Sequence, residues 1–325
     1  MKKNILLSLI LLFSVILTAC GNSEKTNVKK EANKDGVSTI YTTVYPIQFL
    51  TEQIGGKYVN VQTVYPPGSN EHTFEPSQKD MIEMSDADLL LYIGFNLEGF
   101  INKSKSIFEK EGVKVIPVGE NSVSTHEKEH KEDVNHETND KEHGEDDGHN
   151  HGDIDPHIWL NPELMIHLAQ EVEKELVALN PKQEQYFEKN LATVTTKLEE
   201  LDKKFKDTID QSKKKEIIVS HSAYGYWEER YGIEQIAITG MANSSEPSQK
   251  ELQKMMKIAK ENDIEYVLFE QNVDSKLTEI IQKEIGAKAL TLNNLSVLTD
   301  QNIKDEEDYF SLMESNIATL EKALN

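Results

Sequence analysis

From Ser38 onward, short apolar runs alternate with amphipathic stretches in a regular rhythm. "STIYTTVYP" (38–46) and "VNVQTVYPPG" (59–68) have the β-branched and aromatic content of strands. Between them, "IQFLTEQIGG" (47–56) reads as a helix that stops at a glycine pair. The rhythm continues through a helix in 76–88, a buried strand "LLLYIGF" (89–95), a helix in 99–112 and a strand "VKVIPVG" (113–119). After a polar interruption at 121–153 come two helices back to back, 161–181 and 182–213. Strands then resume with "EIIVSHS", "IEQIAITG", "EYVLFE" and "KALTLN", each followed by helical text, and residues 308–325 close the chain as a helix. Strands alternating with helices predict an α/β fold with parallel sheets, whose ligands belong beyond the carboxyl ends of the strands.

Two details refine that picture. In 182–213, Leu191, Val194, Leu198, Leu201, Phe205 and Ile209 recur three or four residues apart as one apolar stripe. Such a helix could exceed about 40 Å, long enough to join two lobes, although a coiled-coil seam would show the same stripe. The phrases "EPSQKDM" (75–81) and "EPSQKEL" (246–252) both look like capped helix starts, as expected of two equivalent βα lobes. The pattern therefore divides the chain into an N-terminal lobe (38–120), a His- and acid-rich loop (121–153), a first linking helix region (154–181), a long inter-lobe helix (182–213) and a C-terminal lobe (214–325).

The beginning of the chain sets the compartment. Met1-Lys2-Lys3 and the apolar run Ile5–Leu17 form a secretory signal segment (1–19), too short to span a membrane. It ends at "LTACG", which resembles a bacterial lipobox with Cys20 as the lipidated residue and 20–37 as a polar tether. Cys20 is also the single cysteine, so the fold has no internal disulfide and any metal site must use His and carboxylates. Fifty-seven acidic residues against 35 basic ones leave a formal charge of -22, which argues against nucleic acid and is compatible with a cation ligand.

Six of the ten histidines, His126, His130, His136, His143, His149 and His151, crowd into one acidic stretch. Its first five residues spell H-E-x-x-H, but a helix polar all round has nothing to anchor it, so a protease site is not expected. A solvated charge run and a weak, multi-site zinc collector remain as readings. Of the other four, His167 falls mid-helix and reads as structural. His72, His157 and His221 instead stand at strand ends or helix starts on both sides of the expected cleft, where imidazoles from separate segments could hold zinc.

Around these residues, "YPPGSNEHTFEPS", "DPHIWLNP", "VSHSAYGYWEERYG" and "EPSQKEL" resemble the phrases of the zinc- and manganese-binding lipoproteins of ABC importers, the cluster A (ZnuA- or AdcA-like) solute-binding proteins. The resemblance covers nearly the whole mature chain. It implies two α/β parallel-sheet lobes joined by one long rigid helix, a metal site in the inter-lobe cleft, and His72, His157 and His221 as ligands. It also implies Zn2+ as transported cargo, an ABC permease as partner, lipid attachment to the outer face of the cytoplasmic membrane, and a monomer without enzymatic activity. Where the family carries a carboxylate, in a phrase like L-N-P-L-E-x-L-T, this chain reads "LNNLSVLT" with Ser296. The fourth position thus passes to Ser296 itself, water, Glu71 or a loop histidine. Three imidazoles without a carboxylate suit zinc better than manganese. A manganese-binding member of the same family and a surface adhesin are the alternative functions.

Overall fold

The computed structural model describes residues 36–124, 154–241, 248–271 and 276–325. The signal segment, Cys20 and the six clustered histidines lie outside the described residues. Among those described, no helix is long and apolar enough to cross a membrane.

The first sheet contains β1 (Ser38–Thr42), β2 (Val59–Thr63), β3 (Leu89–Tyr92) and β4 (Lys114–Pro117), in the order β2-β1-β3-β4 and all parallel. The helices α1 (Tyr45–Gly55), α2 (Gln78–Ser85) and α3 (Gly99–Lys110) connect them. The second sheet repeats the plan with β5 (Glu216–His221), β6 (Glu234–Thr239), β7 (Tyr266–Glu270) and β8 (Lys288–Leu292), in the order β6-β5-β7-β8. Between the sheets run α4 (Pro162–Leu179) and the 28-residue α5 (Glu184–Gln211). The second half adds α6 (Gly225–Tyr231), α7 (Gln249–Glu261), α8 (Lys276–Ile285), α9 (Asp300–Lys304) and α10 (Tyr309–Ala323). The expected two-lobe α/β architecture is therefore present.

Local chemistry explains where the elements begin. The strand expected over 38–46 ends at Thr42, because Pro46 is preset for a helical first turn and α1 starts at Tyr45. The two repeated phrases start helices as read: Ser77 and Ser248 each accept the backbone N–H three residues on, from Asp80 and Glu251, whose carboxylates return the bond. The short α9, capped by Thr299, was not anticipated, since five residues carry too little periodicity to register.

The apolar stripe of α5 is used inside the molecule. Phe187, Val194, Leu198, Leu201, Phe205 and Ile209 are buried in one core that includes residues of both sheets, α1, α4 and α10, while Leu191 is only partly covered. With its apolar face occupied, α5 has no seam left for a coiled coil. Phe205 stacks on Tyr231 at 4.2 Å between centroids and also touches Trp227, and Arg230 reaches Asp202 on α5 and Glu163 on α4. A separate small core of Ile218, Ile238, Ala259, Val267 and Ile281 backs the second sheet.

One buried carboxylate fastens the exit of β3. Glu98 accepts hydrogen bonds from the Thr43 hydroxyl (2.7 Å), Ile93 N–H (2.9 Å) and Gly94 N–H (3.0 Å). It thereby holds a turn in which Gly94, Phe95 and Asn96 all have positive φ. Burial outweighs these donors and pushes its pKa from 4.5 up to about 7. A folded-state pKa above the unfolded value means stability that is full below pH 4.5 and declines as pH rises toward 7, by an amount on the order of 3 kcal/mol. Glu98→Gln, which does not titrate, is expected to be less stable than the parent at pH 4.5. Denaturant unfolding should show that gap narrowing by about this amount at pH 8; a gap independent of pH would contradict this account of Glu98.

Candidate metal centre

Three segments converge at the carboxyl ends of the strands. His72 lies in the loop after β2, where its N–H donates to Asn70 Oδ1 (2.9 Å). His157 precedes a single 3-10 turn, Ile158–Leu160, that leads into α4. The sequence had placed it at the start of a linking helix; the intervening turn sets it five residues ahead of α4. His221 is the last residue of β5.

The turn carrying His157 is clamped on several sides. Trp159 Nε1 donates to the carbonyl of Asn294 (2.6 Å), Tyr309 Oη to the carbonyl of Trp159 (2.7 Å), and Trp227 Nε1 to the carbonyl of Leu160 (2.7 Å). Each of these aromatic side chains is fully buried, so a polar tip is satisfied where an apolar body packs.

One ring nitrogen of each histidine lies within 4.8 Å of the corresponding nitrogens of the other two. Ring centroids are 5.3 Å apart for His72–His157, 5.3 Å for His157–His221 and 5.7 Å for His72–His221. Nδ1 of His157 is 2.7 Å from Asp155 Oδ1, which also accepts the His157 N–H. Nδ1 of His221 meets Glu270 Oε1. A carboxylate at Nδ1 places the ring proton there and leaves a lone pair on Nε2. All three Nε2 atoms are buried and none has a hydrogen-bond partner among the described residues. Small side-chain shifts would bring them to the edge length of about 3.4 Å that a tetrahedron with zinc–nitrogen bonds of about 2.0–2.1 Å requires.

The electrostatics favour a cation. Glu71 and Glu270 are 4% and 5% exposed, yet their ion-pair partners among the described residues are histidines and not Lys or Arg. Burial pushes the His72 ring down to about 4, aided by His157 and His221 and opposed by Glu71, so this ring is neutral at pH 7. For His221, burial acts the same way, but the charge and hydrogen bond of Glu270 outweigh it and raise the pKa.

The three histidines singled out in the sequence are thus brought together, and His167, on α4, is not in the cluster. Glu71 stands beside it, with Oε1 3.7 Å from His72 Nε2. Ser296 is different. Its Oγ and N–H both donate to Asn294 Oδ1 (2.9 and 3.1 Å), so in this structure its hydroxyl proton is engaged with that amide. Three functional residues were missed: Asp155, Glu270 and Asn294. Asp155 stood in plain view two residues before His157, and Glu270 closes β7, the strand beside the one that ends in His221. Asn294 carried no signal of its own, since amides follow no period.

Comparison with known proteins agrees with this geometry. The profile described as zinc-uptake complex component A periplasmic, ZnuA, matches residues 40–323. The chain belongs to the ZnuA family. It is 34% identical to the zinc-binding lipoprotein AdcA of Streptococcus pneumoniae over 98% of its own length, and spans 61% of that longer relative. It is also 34% identical to the high-affinity zinc uptake system protein ZnuA of Bacillus subtilis, covering 95% of this chain and 94% of that one. Among solved structures, the Zn(II)-bound ZnuA-like domain of S. pneumoniae AdcA superposes with a TM-score of 0.70 at 32% identity, over 89% of this chain and 99% of that domain.

Within this ZnuA-family site, Glu270 satisfies the buried Nδ1 of His221, as Asp155 does that of His157. Glu270→Ala is expected to lower zinc affinity by about 10- to 100-fold, the usual cost of losing an outer carboxylate, in competition against a chromophoric chelator. An unchanged affinity would show that β5 alone orients His221.

Proposed function

We propose that the chain captures Zn2+ outside the cytoplasmic membrane and delivers it to the permease of an ABC importer. The observation that carries this reading is the convergence of three buried, unpartnered Nε2 atoms between carboxylates that lack basic partners. An unpaired buried lone pair is costly, and so is a buried carboxylate without a counter-ion; one dication satisfies all of them together.

The donor chemistry selects among dications. Imidazole suits zinc, whereas manganese prefers oxygen-rich sites. Glu71 supplies the fourth donor in this reading, because its carboxylate already lies beside His72 Nε2. The two sheets then act as metal-holding lobes, 38–120 and 214–325, with 154–213 as their connector. Cys20 is the lipid anchor that keeps a monomer at the membrane surface, and the segment 121–153 gathers zinc weakly beside the cleft. The cycle consists of binding and release, with no bond made or broken in a substrate.

Titration of the metal-free protein is expected to give one tight zinc site and much weaker Mn2+ binding, and His157→Ala should abolish the tight site. A preference for Mn2+ would sink the zinc reading. Deleting 124–152 is expected to retain the tight equivalent and remove weaker ones; loss of the tight site would instead assign the fourth ligand to a loop histidine.

A further inference from the structure

Among the described residues, Asn294 is the one whose polar atoms reach the supports of all three histidines. Its Nδ2 donates to Glu71 Oε1 and to Glu270 Oε2, both at 3.1 Å. Glu71 adjoins His72, and Glu270 holds His221. The Asn294 backbone carbonyl accepts Trp159 Nε1, two residues beyond His157. The residue itself is 5% exposed.

The direction of the amide is determined by its surroundings. Oδ1 faces two donors, the Ser296 N–H and Oγ–H. The NH2 group must therefore face the carboxylates, and it has one hydrogen for each. The loop is held from behind as well: Asn316 Oδ1 accepts the Asn293 N–H (2.8 Å), and its Nδ2 donates to the Asn293 carbonyl (2.7 Å). Leu295 takes a left-handed conformation, φ 60, and its N–H reaches Asn293 Oδ1 (2.8 Å). A non-glycine residue in that region indicates a loop whose shape is imposed by its contacts.

Resting on the zinc reading above, we propose that Asn294 is a positioning residue for the cargo ion. Its amide draws the Glu71 carboxylate against the three imidazoles, where it serves as the fourth donor, while steadying Glu270 behind His221. Ser296 is the residue that orients Asn294. No other side-chain hydrogen bond to the Glu71 carboxylate is present among the described residues, so without Asn294 this carboxylate is held only by its proximity to His72.

The test uses the full chain, zinc and Co2+. Asn294→Ala is expected to weaken zinc binding by about 10- to 100-fold and to change the visible ligand-field spectrum of the Co2+-loaded protein, because the fourth donor is released. In a Glu71→Gln background the same substitution should cost markedly less, since only the bond to Glu270 remains to be lost. Asn294→Asp, close in shape but with no donor, should act in the same direction and provides the reading if the alanine variant fails to fold. In the pair Asn294→Asp with Glu71→Gln, the hydrogen bond can re-form with its direction reversed. That pair should recover part of the thermal stability lost in Asn294→Asp without recovering affinity or the parental Co2+ spectrum. The proposal is overturned by affinities within about threefold of the parent, by an unchanged Co2+ spectrum, or by an equal loss in both backgrounds. A parent protein that binds no zinc tightly would overturn the zinc reading itself, which separates the two failures.

Discussion

Three imidazole nitrogens buried without partners are the constraint around which the rest of the structure is arranged. Leaving such atoms unsatisfied costs a fold about 1–3 kcal/mol each, and nothing in packing alone compensates for it. The cost is tolerable because the opposite side of two rings is fully used: Asp155 and Glu270 take the Nδ1 protons of His157 and His221. Those bonds fix the tautomers, and fixed tautomers keep the Nε2 lone pairs aimed inward. A site built this way is prepared for a cation before the cation arrives. Binding then relieves an existing penalty instead of ordering a disordered pocket.

Holding that geometry requires rigid origins for the three side chains. The repeated strand order in the two sheets sets the carboxyl ends of β2 and β5 toward one region, which is where parallel α/β sheets place their ligands. The His157 turn has no sheet of its own and is instead gripped by Trp159, Trp227 and Tyr309. The continuous core along α4 and α5 ties these elements together, so the site inherits its precision from apolar packing as much as from its own hydrogen bonds.

Most of the fold was legible because its signals are periodic. The α5 stripe, the alternating strands and the two Ser-capped phrases each follow from spacing that one chain displays. The histidines were legible for another reason: with one cysteine, and six of ten histidines confined to a polar run, only four remained to be weighed as imidazole ligands. Glu270 was harder, since a glutamate at the end of "YVLFE" looks like a solvated strand end until its neighbour is known to finish in His221. Asn294 was not legible at all. Its role comes from contacts 24 and 223 positions away along the chain, and no local pattern encodes those. Ser296 stood out in the sequence as a hydroxyl where the resembled family carries a carboxylate. In the fold its N–H and hydroxyl both face the Asn294 oxygen, and the Asn294 amide faces two carboxylates.

The two perturbed histidines give this arrangement a further consequence. His72 is pushed toward neutrality by burial, whereas His221 is drawn toward its charged form by Glu270. The difference lies in how each ring meets its carboxylate. Glu270 bonds Nδ1 of His221 directly, whereas Glu71 stands 3.7 Å from Nε2 of His72 and bonds Asn294 instead. A direct charge-assisted bond outweighs burial where a looser approach does not. The contact that orients His221 thus also sets the balance between its charged and neutral forms.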